Sequence, residues 1–440
     1  MSRVLVATAP GEGHVNPMVP VVAELVGRGH QVRWYTGEVY RRTVERVGAV
    51  HQPMRAAYDY GGMTREEAFP HHAGLTGIEG MTVGFGDVFL ETAPDQMKDL
   101  TETLEEFPAD VLVTDETCFG AGFIAERTGL PWAWVATSVY LFRSRDTAPL
   151  GLGLRPSSSV PGRARNALLS TAADTVVLRK LRRRGDEVRA RVGLPPLAKG
   201  AFENIVQPPD LYLMGTVPSF EYPRSDLLEQ THFVGAFLGP APEQVELPGW
   251  WDELDGDRPV VHVTQGTIAN DLDRLLLPTL RALADSEVLV VATTGVPPET
   301  LDLPPLPDNV RVERFIPHRQ LLPRVDAMVT NGGYGGVTMA LVHGVPLVVA
   351  AATEEKHEVA ARVAWAGAGI RVSGQRSLQT RLRDAVTRVL NDPRYRHRAR
   401  ALQAEYLRHD GPRLAADLIE QRLLTPTGAS SPEGRPGRPR

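Results

Sequence analysis

Short apolar runs alternating with helix-length segments recur along this chain, and that rhythm constrains the fold more than any other feature. In the first half the runs are VLVAT (4–8), QVRWYT (31–36), DVLVTD (110–115) and WAWVATS (132–138). Between them lie segments of helical spacing. One starts from about Pro17, where proline suits a first helical position; the others are EVYRRTVERVG, closed by Gly48, MKDLTETLEEF (97–107) and CFGAGFIAERTGLP. The second half repeats the pattern with RPVVHVTQGT (258–267), EVLVVATTG (287–295), NVRVERF, VDAMVTNGGYGG and VPLVVAA. Strands joined through helices run parallel, and a parallel sheet is covered on both faces. No residue-level repeat links the halves; only the architecture recurs. A chain of 440 residues exceeds one ordinary core. The expectation is an α/β protein of two Rossmann-like, doubly wound domains facing each other across a cleft.

The proline- and glycine-rich stretch AFLGPAPEQVELPG (236–249) marks the joint. The expected organisation is an N-terminal domain over 1–237, a linker over 238–249 and a C-terminal domain over 250–410. A helix over 411–424 then packs back toward the N-terminal domain, and 425–440, with little to bury, forms a disordered tail. A net charge of −5 lacks the basic excess of a nucleic-acid-binding protein. Cys118 is the single cysteine, so no internal disulfide forms and a reducing cytoplasm is expected. The first apolar run is too short for a signal peptide, and no stretch reaches the about 18 apolar residues of a membrane span. The expected state is a monomer or homodimer without stable membrane insertion. Residues 61–80 lack periodicity and read as a mobile loop. Residues 161–191 hold nine basic residues against three acidic ones. They read as a solvated helical face, with an acceptor lid or a membrane-surface contact as the alternative.

Chemistry concentrates at strand ends. In VTNGGYGGVTMALVHGVPLVV (329–349) a buried strand ends near Asn331, and Gly332, Gly333, Gly335 and Gly336 lead into a helix starting near Gly336 or Val337. Glycines let a ligand approach the backbone, and a helix start offers unpaired N–H groups to an anion. Upstream, TQGT (264–267) follows a strand and offers hydroxyls and a glycine amide. One glycine loop is weak evidence, but two at strand ends of one domain point to a phosphate or diphosphate.

The order of pieces over 314–369 resembles the donor-binding signature of nucleotide-sugar-dependent glycosyltransferases of the GT-B fold, the group of macrolide, other natural-product and plant flavonoid glycosyltransferases. PGEGHVNP (10–17) is similar to that family's N-terminal G-H-x-x-P element, so the resemblance covers nearly the whole chain. It implies that Phe315 stacks on the base and that Ile316 offers its backbone to the base edge. Thr264, Gly266 and Thr267 match the phosphate loop. Asn331 replaces the usual histidine, and an asparagine amide still donates, though without charge. Gly335 and Gly336 leave backbone amides to bind the diphosphate, with Val337 beside them, and Glu355 and Lys356 match the pair that reaches sugar hydroxyls. Met339 stands where many uridine-diphosphate enzymes carry a ribose-binding glutamate. Methionine cannot usefully accept those bonds, which tilts the choice slightly toward a dTDP-sugar over a UDP-sugar.

Sugar transfer also needs a base for the acceptor. His14 follows the first strand and Asp115 ends a later one; if these strands flank the topological switch point, both side chains face one crevice. The carboxylate would orient the imidazole and stabilise the imidazolium, and the resemblance assigns these same roles. The plainer alternatives are a turn-closing histidine and, for Asp115, a helix N-cap, with Glu116 able to act instead. Cys118 reads as a small apolar residue at a helix start. Trp132, Trp134 and Tyr140 either line an acceptor pocket or pack the core. His71 and His72 have no spaced partner resembling a metal site and read as a loop pair, with His71 a candidate acceptor contact.

The expected protein is an inverting O-glycosyltransferase moving a sugar from a dTDP- or UDP-sugar to a hydroxyl of a small, lipophilic natural-product acceptor, with no cofactor and no metal. The alternatives are a non-catalytic auxiliary protein of the same fold and a nucleotide-sugar epimerase. The first does not account for a retained His14 and Asp115, and the second does not explain the G-H-x-N-P loop.

Overall fold

The computed structural model describes residues 1–75, 77–197, 200–239, 246–265, 272–351, 354–374 and 377–425. Half of the expected linker, 240–245, and all but the first residue of the expected tail lie outside the described residues. Seven parallel strands form the first sheet: β1 (Arg3–Ala7), β2 (Gln31–Thr36), β3 (Val50–Pro53), β4 (Val111–Thr114), β5 (Trp132–Ala136), β6 (Leu211–Met214) and β7 (Thr231–Phe233). Six form the second: β8 (Val260–Thr264), β9 (Leu289–Thr293), β10 (Val310–Glu313), β11 (Ala327–Thr330), β12 (Leu347–Ala350) and β13 (Gly369–Val372). Their orders are β3-β2-β1-β4-β5-β6-β7 and β10-β9-β8-β11-β12-β13. Both orders reverse beside the first strand of the domain, which creates one switch point per sheet. The expected architecture of two Rossmann-like domains holds.

The strands are apolar throughout because both faces are covered. Val4, Leu5, Val6 and Ala7 are fully buried, as are Val111, Leu112 and Val113 opposite them. Each such Val or Leu contributes roughly 1.5–3 kcal/mol. Trp34 in β2 is also fully buried, and its indole N–H donates to Thr8 Oγ1 at 3.0 Å.

Seven helices frame the strand-end crevices and the domain junction: α1 (Glu12–Gly27), α2 (Ala93–Glu106), α3 (Phe119–Thr128), α4 (Arg179–Arg191), α5 (Tyr334–Val342), α6 (Glu354–Trp365) and α7 (Gly411–Ile419). Helix α1 begins five residues before the expected Pro17, from an extended Gly11. Pro17 and Pro20 therefore lie inside it. Proline removes a backbone donor and crowds the carbonyl four residues earlier, which for Pro17 belongs to Gly13, a residue without a side chain. Val15, Met18, Val21, Val22 and Leu25 form its buried stripe.

The two domains meet through a buried ionic cluster. Arg362 on α6 donates from Nε to Glu221 Oε1 at 2.5 Å and from Nη1 to Glu358 Oε2 at 2.8 Å. Glu358 Oε1 in turn accepts from the N–H groups of Gly151 and Gly153, at 3.0 and 2.7 Å. Helix α7 lies against α1, burying Ala415, Ala416 and Ile419, while Arg28 reaches Asp417 and Glu420 at 2.7 and 2.6 Å.

Residues 61–80 are not one featureless loop. They hold short helical pieces over Arg65–Ala68 and Pro70–His72 and the start of a helix over Gly77–Phe85. The basic segment 161–191 is partly a solvated face, but Arg189 is fully buried, gripping Glu126 with both Nη atoms at 2.9 and 2.7 Å. Arg184 reaches the 86–91 turn through Asp87 and Glu91.

Candidate active site

Strands β1 and β4 are neighbours, with Ala7 paired to Thr114 at their carboxyl ends. The residues that come after each strand therefore enter one crevice. His14 lies in the first turn of α1 and Asp115 directly follows β4. His14 Nδ1 is 3.6 Å from Asp115 Oδ2 and 3.3 Å from Thr117 Oγ1. The Thr117 hydroxyl donates to Asp115 Oδ1 at 2.7 Å, so a chain of contacts runs from ring to hydroxyl to carboxylate.

Asp115 is fully buried, and four donors hold it. Oδ2 accepts from Ala9 N at 2.7 Å; Oδ1 accepts from Thr117 N at 2.5 Å, Thr117 Oγ1 at 2.7 Å and Cys118 N at 2.9 Å. Hydrogen bonds to a charged group are worth about 1.5–3 kcal/mol each, so the carboxylate also builds the turn into α3. The expected helix cap is not Asp115 but Cys118, and the carboxylate instead braces the turn that leads to it. The His14 side chain remains 23% exposed, enough for a reactant to reach it.

Glu116 does not substitute for Asp115. Both its oxygens accept from Thr137 N and one also from the Thr137 hydroxyl. Burial, and then the charge of Asp115, pushes its carboxyl above the ordinary range. Cys118 is buried with its thiol pushed well up, as a packing residue would be. Phe89 meets the His14 ring edge-on at 5.9 Å between centroids, and Phe85 lies 5.4 Å from Phe89. Sequence reasoning missed Phe89 and Thr117. Thr117 stands two residues past the chosen carboxylate, where a hydroxyl was a detectable signal; Phe89 lies beyond the recognisable strand ends.

Trp132 does not line a pocket: it is 3% exposed, its indole N–H donates to Thr114 Oγ1 at 3.0 Å, and its ring packs on Trp134. This is core packing because β5 is a central strand. Tyr140 is also buried, stacked on Tyr212 at 5.4 Å, but with Phe142, Leu150 and Arg362 it lines a cavity beside the domain junction. His71 and His72 do acquire a partner, contrary to the expectation from spacing. The fold brings Asp87 to them, with Oδ2 2.7 Å from His71 Nε2 and 2.8 Å from His72 Nε2.

In the second domain β8 and β11 flank the switch point, with Thr264 paired to Thr330. Helix α5 starts at Tyr334, two to three residues earlier than expected, after an extended Gly333. Its first N–H groups, those of Tyr334, Gly335 and Gly336, precede the first intrahelical bond from Val337 N to Gly333 O at 3.0 Å. Val337 is therefore no ligand: its amide is spent on the helix and its side chain is fully buried. Added Cβ atoms at Gly335 would meet nothing within 4 Å, so that face is open. Gly332 adopts φ +91°, which a side chain rarely tolerates, and a Cβ there would lie 3.0 Å from Val349 and 3.2 Å from the Lys356 carbonyl.

The Asn331 amide donates to the Gln265 carbonyl, and its oxygen accepts from Gly333 N at 3.3 Å. It ties the two strand-end loops together, a task for which a neutral amide with both donor and acceptor is suited. Phe315 is 68% exposed, an unusual position for a large aromatic residue, while Ile316 beside it is buried. Met339 is half-buried against the core of this domain. Lys356 and Glu355 stand in the first turn of α6; the Glu355 side chain, Gly266 and Thr267 lie outside the described residues. Among the described residues no helix is long and apolar enough to cross a membrane.

Residues 275–421 match the family described as erythromycin biosynthesis protein CIII-like, C-terminal domain. Over 95% of its length the chain is 66% identical to 4'-demethylrebeccamycin synthase of Lentzea aerocolonigenes, covering 99% of that protein. It is 36% identical to UDP-glycosyltransferase 2 of Phaeomoniella chlamydospora, over 95% of each chain. The crystal structure of the calicheamicin glycosyltransferase CalG4 superposes with a TM-score of 0.72 at 24% identity, covering 97% of this chain and 99% of that one. That likeness extends the two-domain fold to the GT-B architecture.

Proposed function

The chain belongs to the natural-product glycosyltransferases, and from that premise we propose that His14 is the base of an inverting transfer from a nucleotide-diphosphate sugar. The observation that carries this reading is His14 Nδ1 set 3.6 Å from the buried Asp115 carboxylate at the first switch point. With Nδ1 facing Asp115 and Thr117, proton transfer falls to Nε2. His14 Nε2 takes the proton of the acceptor hydroxyl as its oxygen attacks the anomeric carbon. The bond from that carbon to the diphosphate oxygen breaks on the opposite face, and the nucleoside diphosphate leaves with the electron pair. Asp115 holds the ring and stabilises the imidazolium.

The N–H groups at the start of α5 receive the diphosphate charge, supported by the helix dipole. That arrangement supplies the electrostatic stabilisation without calling on a metal. Phe315 stacks on the base, Thr264, Gly266 and Thr267 contact phosphate, and Glu355 with Lys356 reaches sugar hydroxyls. Met339 favours a dTDP- over a UDP-sugar. At 66% identity, the acceptor is an aglycone close to that of the Lentzea relative named for 4'-demethylrebeccamycin, and the enzyme acts in the cytoplasm as a monomer or homodimer.

His14→Ala tests the reading. Transfer should fall by about 10²–10⁴-fold, the usual worth of a positioned base, while the thermal shift given by the donor nucleotide is kept. Transfer at the wild-type rate in that variant would overturn the assignment of the base. Comparing the shifts given by UDP and dTDP tests the donor, and equal shifts would remove the role given to Met339.

A further inference from the structure

We propose that His71, His72 and Asp87 form a binding site for one divalent transition-metal ion on the N-terminal domain, outside the sugar-transfer chemistry. The two imidazoles come from the short 3-10 turn Pro70–His72 and the carboxylate from the π-helical segment Gly86–Leu90 that continues the helix over Gly77–Phe85. Both Nε2 atoms converge on one oxygen, Asp87 Oδ2, at 2.7 and 2.8 Å, and the three ligand atoms lie within 4.8 Å of one another. A tetrahedral ion with bonds of about 2.0–2.1 Å spaces its ligand atoms roughly 3.3 Å apart. Each nitrogen–oxygen separation therefore needs to open by only about half an ångström to accept one.

The surroundings fix the ligands. The His72 side chain is 2% exposed and its ring stacks on Phe69 at 5.0 Å and 8°. The His71 ring stands edge-on to it at 4.5 Å. Arg184 Nη2 donates to Asp87 Oδ1 at 2.5 Å, which leaves Oδ2 as the single ligating oxygen, and Arg184 Nε is anchored on Glu91 at 2.6 Å. The His71 side chain is 61% exposed and provides the entry path. Two imidazoles and one carboxylate suit zinc, cobalt, nickel or copper rather than magnesium or calcium, which prefer all-oxygen shells. Three protein ligands leave a fourth position for water.

The site would join residue 72 to a turn whose Phe89 lies against His14, so occupancy stiffens one wall beside the base without touching it. The experiment uses the full chain, stripped with chelator and titrated with zinc alone in equilibrium dialysis. Cobalt absorption in the visible range and thermal melting are read in parallel. One equivalent of zinc should bind and raise the melting temperature. His71→Ala, an exposed change that leaves the core intact, should weaken binding at least tenfold and abolish the melting shift, whereas His14→Ala should retain both. No stoichiometric binding by the wild type, or unchanged binding by His71→Ala, overturns the proposal. In that case the cluster is only an ion-pair clamp between the two turns.

Discussion

Replacing Arg362 with methionine should loosen the two domains from one another and weaken donor use without altering any group that touches a reactant. Arg362 is 1% exposed and sits on α6, the helix whose first turn carries Glu355 and Lys356. Its guanidinium joins Glu221 of the first domain to Glu358 of the second and lies 4.3 Å over the Tyr222 ring. Glu221 is equally buried, and its carboxylate also accepts from the backbone of Tyr140 and Tyr222, at 3.1 and 2.8 Å. Methionine fills similar space but leaves Glu221 with Arg224 as its cationic partner, whose nearest nitrogen is 3.4 Å away, besides the two backbone donors.

Breaking one side of a buried pair costs about 3–5 kcal/mol, because a charge is left without its partner. The residual Arg224 contact places the expected loss at the lower end, near 3 kcal/mol. A cost of that size shifts the balance between apposed and separated domains by roughly a hundredfold. Urea denaturation followed by tryptophan fluorescence should show the loss, together with a raised donor KM. Adding Glu221→Gln to Arg362→Met should recover part of the lost stability, since one of the two carboxylates left without the guanidinium is then neutral while Glu358 keeps its bonds from Gly151 and Gly153. A single variant within about 1 kcal/mol and twofold in KM of the wild type would refute the reasoning.

Thr117→Val should lower kcat with little change in donor binding, because it removes the hydroxyl between His14 and Asp115; Thr117→Ser should restore most of the rate, as steady-state kinetics will show. Gly332→Ala forces a side chain into φ +91° against Val349 and the Lys356 carbonyl. It should cost at least about 1 kcal/mol on thermal melting and raise donor KM. Phe315→Ala should weaken nucleotide binding by about five- to a hundredfold in calorimetry, the worth of one stacked base, and leave folding untouched because the ring is exposed. Burial pushes the Asp87 carboxyl up, but hydrogen bonds from His72, His71 and Arg184 outweigh it and bring it from 3.8 to about 2. A depressed folded value adds stability above the unfolded one, and that stability is lost as pH falls through the folded one. The difference in urea midpoint between wild type and Asp87→Asn should therefore be full at about pH 5 and shrink between about pH 4 and pH 2.

The sheet centres were legible because a strand covered on both faces must be apolar without interruption, as VLVAT and DVLVTD are. The edge strands were not. Val50–Pro53 and Thr231–Phe233 are short, half-exposed and carry polar residues, so nothing in their composition separates them from loops. His14 and Asp115 could be paired from sequence because a doubly wound topology fixes which strand ends are neighbours. Their local roles could not: whether Asp115 caps, orients or does both depends on where the amides of Ala9 and Cys118 point. The start of α5 was misjudged because glycine is as compatible with a helix's first turn as with the loop before it. Asp87 could not be assigned to His71 and His72, since the pairing depends on how the 77–90 helix folds back over the 70–72 turn, which no periodicity in the sequence fixes. Arg189 and Arg362 carried no signal among so many arginines, as burial of a cation is decided by its partners.

On the proposed mechanism the same topology serves opposite purposes in the two halves, and the first turn of the helix after the switch-point strand decides which. Both domains present a helix N-terminus there, and by backbone dipole alone either could hold a diphosphate. Helix α1, however, places Glu12 in its first turn and fills the turn with the His14 side chain. An acid at that position repels a diphosphate, and the imidazole takes the space a phosphate would need. Helix α5 carries no acid in its first turn, and Gly335 presents bare backbone to open space. The positive end proposed to bind the diphosphate in the second domain instead surrounds the proposed base in the first. A proton acceptor and a leaving-group site must lie on opposite sides of the reacting carbon for inversion. On the proposed mechanism, two like domains joined by Arg362 and Glu221 provide that opposition from a single repeated fold.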